Sequence, residues 1–165
     1  MSENYVFHPF KSISNEHSHI LVLGTMPSIR SREENFYYSH PQNRFWKVLA
    51  KSFEQKLPDS VDEKTHMLLT NGIALWDVLA SCEISGSDDS SIRKPKYNDI
   101  AMLISGNKTI KKILCNGKAA YKLCCNLNLS LPVISMPSTS PANAAWSEEH
   151  LIAVWKPELT KGIST

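Results

Sequence analysis

No stretch of this chain approaches the ~18 consecutive apolar residues of a membrane-spanning helix. The N-terminus, MSENYVFHPFKS, lacks the apolar core of a secretory signal. The chain is therefore expected to be cytoplasmic, or nucleoid-associated or nuclear according to the cell. Neither sign of charge dominates: the formal net charge is +2, so no global basic field announces a polyanionic partner. Such contact would rest on local clusters, Arg30/Arg32, Arg93/Lys94/Lys96 and Lys108/Lys111/Lys112. The four cysteines, Cys82, Cys115, Cys124 and Cys125, show no CxxC spacing. They read as buried, reduced thiols rather than a metal centre or a disulfide framework. HExxH, GxxxxGK[ST] and GxSxG are all missing, which removes support for a zinc protease, a nucleotide hydrolase or a serine esterase. There is no internal repeat, low-complexity segment or dividing linker. The 165 residues suit one domain, 1–165, with residues 1–19 as an arm packed on it.

What is present is an alternation of short apolar runs with helix-like segments. Ile20 to Leu23 reads as a buried strand, broken at Gly24-Thr25-Met26-Pro27-Ser28. Phe45, Val48, Leu49 and Phe53 recur at helical spacing, Pro41 suits that helix's first turn, and Lys56 to Asp59 breaks the helix at Pro58. Ser60 to Glu63 is a capping box whose helix stops at Asn71-Gly72. Ile73 to Val78 is a second buried strand, and residues 81–97 read as a long loop rich in Ser, Asp and Gly. Asn98 caps a short helix over Ile100 to Ser105. Ile110 to Cys115 is a third strand, followed by a helix through Cys125, and Leu131 to Ser135 is a fourth. Ser147-Glu148-Glu149 opens a last helix that Pro157 stops. The pattern predicts an α/β fold, three-layer α/β/α with a central four-stranded parallel sheet.

Parallel topology sends the loops at 24–46, 77–98 and 136–143 to one sheet edge, where ligands bind in such folds. The stretch Ile20 to Trp46 then turns aromatic and polar by turns, through Phe36, Tyr37, Tyr38, His40, Gln42, Asn43, Arg44, Phe45 and Trp46. Aromatic faces beside amide and cationic groups suit a pocket that stacks a planar ring and reads its edge. The alternative is that the aromatics are core and the polar residues cap a helix. Asp77 either accepts a hydrogen bond inside such a pocket or pairs with a neighbouring loop at Asn98. His40 either meets a phosphate or belongs to the Pro turn.

The pair GTMPS and YYSHPQNRFW resembles motifs of the uracil-DNA glycosylase superfamily, most of all its deoxyinosine (hypoxanthine) DNA glycosylase branch. The match recurs in order at LWDVL (75–79), GSDDSSIRKPKYND (86–99), NGKAA (116–120) and MPSTSPANAAW (136–146). The resemblance implies a monofunctional glycosylase that hydrolyses the N-glycosidic bond of deaminated bases in DNA. Hypoxanthine is the foremost substrate, with uracil or xanthine beside it, and neither metal nor cofactor is involved. The partner would be DNA containing a deaminated base, met by a monomer. It implies Asn43 as the catalytic residue, since the two positions often polar in relatives are here Met26 and Met136. Gly24, Thr25, Met26, Pro27, Tyr38, Asp77 and Met136 would then bind the base. Ser28, His40, Asn98, Ser138, Thr139, Ser140, Pro141 and Asn143 would meet DNA, with the 136–143 loop as a wedge. Tyr37 or Phe36 would replace Tyr38 against the base if the loop shifts. A uracil/thymine mismatch-specific enzyme of the same fold is the nearest alternative, and a non-catalytic binder of damaged DNA or nucleotides is the alternative from another class.

Overall fold

In the computed structural model, which describes residues 5–8 and 10–161, the chain forms two sheets. The first strand, β1 (Tyr5–Phe7), is followed by β2 (Ile20–Gly24), α1 (Ile29–Glu34), α2 (Phe45–Ser52) and α3 (Val61–Thr70). Then come β3 (Ile73–Asp77), β4 (Leu79–Ser85), β5 (Asp88–Tyr97) and α4 (Ile100–Gly106). The chain closes with β6 (Lys112–Asn116), α5 (Lys118–Cys125), β7 (Val133–Met136) and α6 (Glu148–Thr160). The central sheet is parallel with order β3-β2-β6-β7, as the alternation of apolar runs predicts.

Buried on both faces, β2 reads as unbroken aliphatic sequence, and its residues serve two cores in alternation. Ile20 and Val22 join Phe45, Leu49, Leu68, Leu151 and Trp155 beneath α2, α3 and α6. Leu21 and Leu23 join Ile100, Ala120 and Cys124 on the side of α4 and α5. From β2 the chain moves outward to β3, then crosses back to β6 on the other flank. The connections at the C-terminal edge therefore diverge, which opens a crevice there.

Several local expectations are corrected. Residues 81–97 form the hairpin of β4 and β5 rather than a loop, and with β1 they make a second, antiparallel sheet in the order β1-β4-β5. The sequence hides β5 because it is an edge strand, mostly exposed, interrupted by Pro95 and paired to β4 through register shifts. Pro41 precedes α2 and sits in a turn closed by Asn43 N–H on the His40 carbonyl at 2.9 Å, where its fixed φ also fits. The helix ends at Ser52, before Pro58, with Glu54 in the left-handed region at φ 53°. Asp99, not Asn98, caps α4 by accepting from Met102 N–H at 3.0 Å. The last helix passes through Pro157 to Thr160, held by burial of Leu159 and by Thr160 Oγ1 donating to the Lys156 carbonyl. Three cysteines are buried as expected, but Cys125 is exposed, and all four are free.

From Tyr5 onward the N-terminal segment makes backbone contacts with β4 and β3. β1 pairs with β4, and Ile13 exchanges backbone hydrogen bonds with Leu75 at 2.9 Å in both directions. Pro9 and residues 1–4 lie outside the described residues.

Candidate active site

The C-terminal ends of β2, β3 and β6, with the loop after β7, enclose a cavity of about 110 Å³. Its walls include Gly24, Thr25, Met26, Pro27 and Ser28 after β2, Asp77 at the end of β3 and Asn116 at the end of β6. Tyr37, Tyr38 and Asn43 enter from the segment before α2, and Ser138 to Ser140 from the loop after β7. A wider groove of about 640 Å³ adjoins it, sharing Ser87, Asp89, Ser138 and Ser140 as lining.

Asn43 is held by a chain of hydrogen bonds whose directions are all determined. Phe45 N–H, which can only donate, meets Asn43 Oδ1 at 2.9 Å. Thr139 N–H likewise fixes Asn116 Oδ1 at 3.0 Å, so Asn116 Nδ2 donates to Thr139 Oγ1, also at 3.0 Å. The Thr139 hydroxyl, having accepted, donates onward to Asn43 Oδ1 at 2.8 Å. Both lone-pair directions of that oxygen are therefore taken. The Nδ2 amine is left for the cavity and makes no hydrogen bond among the described residues. Asn43 stands one residue before the Arg44 N-cap of α2, and meeting the first helical N–H and facing the cavity are one arrangement of its amide, not two alternatives.

The same cavity is lined by an acceptor. Asp77 is buried, and its Oδ2 pairs with His8 Nε2 from the N-terminal arm at 2.8 Å. Asn98 reaches only the backbone, its Nδ2 donating to the Asp77 carbonyl at 2.9 Å and the Leu79 carbonyl at 3.1 Å. Asn98 thus stitches β3 to β4 and does not line the cavity. Gly24 makes room for Asp77 Oδ1. A Cβ there would fall 2.3 Å from that oxygen and 2.8 Å from the Tyr38 hydroxyl.

Tyr38 adopts φ 51° and stacks one ring face on Phe45, with centroids 4.2 Å apart. Ser31, Ser39 and Phe36 secure that bend: Ser39 N–H donates to Ser31 Oγ at 3.0 Å, and Ser39 Oγ donates to the Phe36 carbonyl at 2.8 Å. The Tyr38 hydroxyl is buried without a partner among the described residues. Burial first, and the Asp77 charge second, push both Tyr37 and Tyr38 above the ordinary phenol range, so both stay protonated donors. Tyr37 spends its proton on the Lys11 carbonyl at 2.7 Å. Phe36 is core, packed against Trp46.

The methionines differ in placement. Met26 lines the cavity, whereas Met136 lies in the core and lines only the groove, so its place among base contacts is not supported. Thr139 is fully buried and committed to Asn43 and Asn116, which corrects its assignment to phosphates. Ser138 and Ser140 line both spaces. Their oxygens accept from Ser140 N–H and Ala142 N–H at 3.1 Å each, which leaves their own protons free for a ligand. Asn143 lines the groove and braces the loop by donating to the Ser138 carbonyl at 3.0 Å. Arg44 ties the same loop to α2, its guanidinium donating to the carbonyls of Ser140, Asn143 and Trp146. His40 and Pro141 line neither space, and Ser28 Oγ caps α1 by accepting from Ser31 N–H at 3.2 Å.

The sequence does not single out four participants: His8, Ser87, Asp89 and Asn116. Asn116 sits at the end of an apolar strand beside β2 and opens the NGKAA block, and those are the signals that could have found it. Asp89 lies at the start of β5, beside the Gly86-Ser87 turn of the hairpin, which Ile29 N–H and the Arg32 guanidinium pin through Ser87 Oγ at 3.0 Å and the Gly86 carbonyl at 3.1 Å. Burial of the carboxyl first, and the Asp77 and Asp88 charges after it, push Asp89 up to about 6, although the residue as a whole keeps solvent access. The cluster Lys108/Lys111/Lys112 lies at the start of β6, the opposite end of the sheet from the cavity. Among the described residues, no three His, Cys, Asp or Glu side chains gather to hold a metal ion. Among them, too, no helix is long and apolar enough to cross a membrane.

Comparison with known proteins agrees with this architecture. The model of the uracil DNA glycosylase superfamily matches residues 10–157. A hypoxanthine DNA glycosylase of Methanosarcina acetivorans is 32% identical over 145 residues, covering 86% of this chain and 90% of that protein. A hypoxanthine DNA glycosylase of Methanosarcina barkeri is 31% identical over 110 residues, 66% of this chain and 70% of its own length. The solution NMR structure of a candidate uracil DNA glycosylase from Methanosarcina acetivorans superposes with a TM-score of 0.78 at 30% identity. That superposition covers 91% of this chain and 96% of the other.

Proposed function

The chain belongs to the uracil DNA glycosylase superfamily and is a DNA glycosylase, and from that premise we propose that it excises hypoxanthine from DNA by hydrolysis. The observation that carries the reading is the pairing of one donor, Asn43 Nδ2, with one acceptor, Asp77 Oδ1, in a single aromatic-walled cavity.

Hypoxanthine presents a lactam N–H beside a carbonyl. A carboxylate oxygen accepts from that N–H, whereas adenine would turn a ring-nitrogen lone pair towards the same charge. A site built to meet an N–H rejects the analogue lacking it strongly, because a buried acceptor is left unpaired. Uracil and xanthine also carry lactam N–H groups and belong to the same test. Extrusion of the nucleotide places the base in the cavity and its phosphates along the groove, where Ser138 and Ser140 keep hydroxyl protons to donate.

As the N-glycosidic bond breaks, electrons move onto the departing base and the sugar becomes oxocarbenium-like. Asn43 Nδ2, held by a fully committed Oδ1, is a pre-aimed donor for that growing negative charge and needs no reorientation. Met26 leaves no carboxylate in the β2 loop to activate water. The reaction therefore depends on leaving-group stabilisation, with water adding to an already electrophilic C1′.

The test is single-turnover excision on oligonucleotides containing hypoxanthine, uracil, xanthine or adenine, with alkali to cut abasic sites. Fastest release of hypoxanthine and none of adenine is expected. Inactivity on all three deaminated bases would refute the proposal.

A further inference from the structure

The Asp77 carboxylate is gripped by a residue from a distant part of the chain. His8 follows β1, and its backbone N–H donates to the Ala80 carbonyl at 2.7 Å, which docks the arm beside β4. Its Nε2 lies 2.8 Å from Asp77 Oδ2, and each side chain is only 4% exposed. Phe10 N–H faces Nδ1 at 3.4 Å, so the ring proton belongs on Nε2 and points at the carboxylate. Phe10 and Tyr37 pack against the imidazole at centroid distances of 4.6 and 5.9 Å and fix its plane.

We propose that His8 is a positioning residue for base excision: it takes Asp77 Oδ2 and so presents Oδ1 to the base in the cavity. This rests on the function proposed above, in which Oδ1 accepts from the lactam N–H. The arm is thereby part of the active site rather than a cover on the fold. Docking alone does not call for this pair. The arm already holds through strand pairing and through the Tyr5 hydroxyl, 2.9 Å from Ser81 Oγ. Burying a carboxylate is costly, and an apolar contact would dock the arm without that cost. What the pair adds is orientation. Without His8, the carboxylate is free to rotate about χ2 and to turn towards the unpartnered Tyr38 hydroxyl near Gly24.

The test uses the full chain carrying His8→Ala, His8→Gln or Tyr5→Phe, with single-turnover excision, oligonucleotide affinity and thermal unfolding measured for each. The substrate is whichever of hypoxanthine, uracil or xanthine the unmodified protein releases. His8→Ala is expected to slow excision about tenfold or more, the effect of freeing a buried acceptor, while oligonucleotide affinity changes less than about twofold. His8→Gln keeps an N–H donor for Oδ2 and should recover most of the rate. Tyr5→Phe loosens the arm without touching Asp77 and should stay within about twofold of the unmodified rate. In an Asp77→Asn background, His8→Ala should cost little further, because the group it positions is already gone.

Undiminished excision in a folded His8→Ala protein overturns the proposal. So does a loss no larger than that of Tyr5→Phe, or a full additional loss in the Asp77→Asn background. If His8→Ala does not fold, His8→Leu restores apolar volume and takes its place. An unmodified protein inactive on all three bases refutes the proposed function itself, whereas activity indifferent to His8 refutes only the positioning role.

Discussion

The Thr139 hydroxyl donates to Asn43 Oδ1 at 2.8 Å, and this contact helps decide which end of the Asn43 amide faces the cavity. Thr139 receives its own hydrogen bond from Asn116, so the geometry at Asn43 is relayed from the end of β6. A residue that reads as a phosphate contact in sequence is instead an internal support.

Thr139→Val keeps shape and removes the relay. The Asn116 amide is then left buried with an unmet donor, which costs roughly 1–3 kcal/mol of stability. Single-turnover excision is expected to fall about tenfold, because Asn43 keeps only the Phe45 N–H to orient it. Thr139→Ser should restore both properties. Thermal unfolding and excision on the two variants check this.

Asn43→Asp and Asn43→Ala should separate the two duties of this side chain. Both remove the Nδ2 donor and should cut excision by ~10²-fold or more, as loss of a donor aimed at developing charge does. Asp still accepts from Phe45 N–H, whereas Ala leaves that N–H at the start of α2 without its partner, at a cost of about 1 kcal/mol. Equal inactivity with unequal melting temperatures is the expected pattern. Undiminished excision in either variant removes Asn43 from catalysis.

Asp89 sets a pH dependence with a definite sign. Its folded carboxyl titrates at about 6, above the roughly 3.9 of an unfolded Asp. The folded state binds the proton more tightly, so this contribution to stability is full below the unfolded value. It is lost as pH rises through the folded one. Asp89→Asn should therefore raise the melting temperature relative to the unmodified protein above pH 6, and the difference should shrink towards pH 4. A difference constant across that range would show that Asp89 titrates normally.

The loop after β7 is expected to act as a wedge during extrusion. Ala142 is exposed at the groove, and Pro141 stiffens the turn beside it. Replacing Pro141-Ala142 by Gly-Gly should slow excision from a paired duplex strongly and from single-stranded DNA only slightly, since extrusion costs most from a paired site. Equal losses on the two substrates would mark the loop as a connector.

Local pattern alone determined the parallel sheet, the capping box at Ser60 and the convergence of the Gly24 and Met136 loops. Each of these depends on residues close in sequence: short, continuous aliphatic runs bounded by turn residues, and a Ser three places before a Glu. The likeness of HPQNRFW to its family pointed to Asn43, but not to the orientation of its amide. That depended on Thr139 and Asn116, which are 96 and 73 positions away. The pairing of Asp77 with His8 likewise spans 69 positions and exists only because β1 adds to β4. The hairpin of β4 and β5 is hidden in the sequence because an exposed edge strand is held by backbone hydrogen bonds, which every residue but proline can supply whatever its side chain. Short-range patterning decides which elements form. Buried polar groups take their partners from whatever the packed chain brings within 3 Å, and only the tertiary structure decides that.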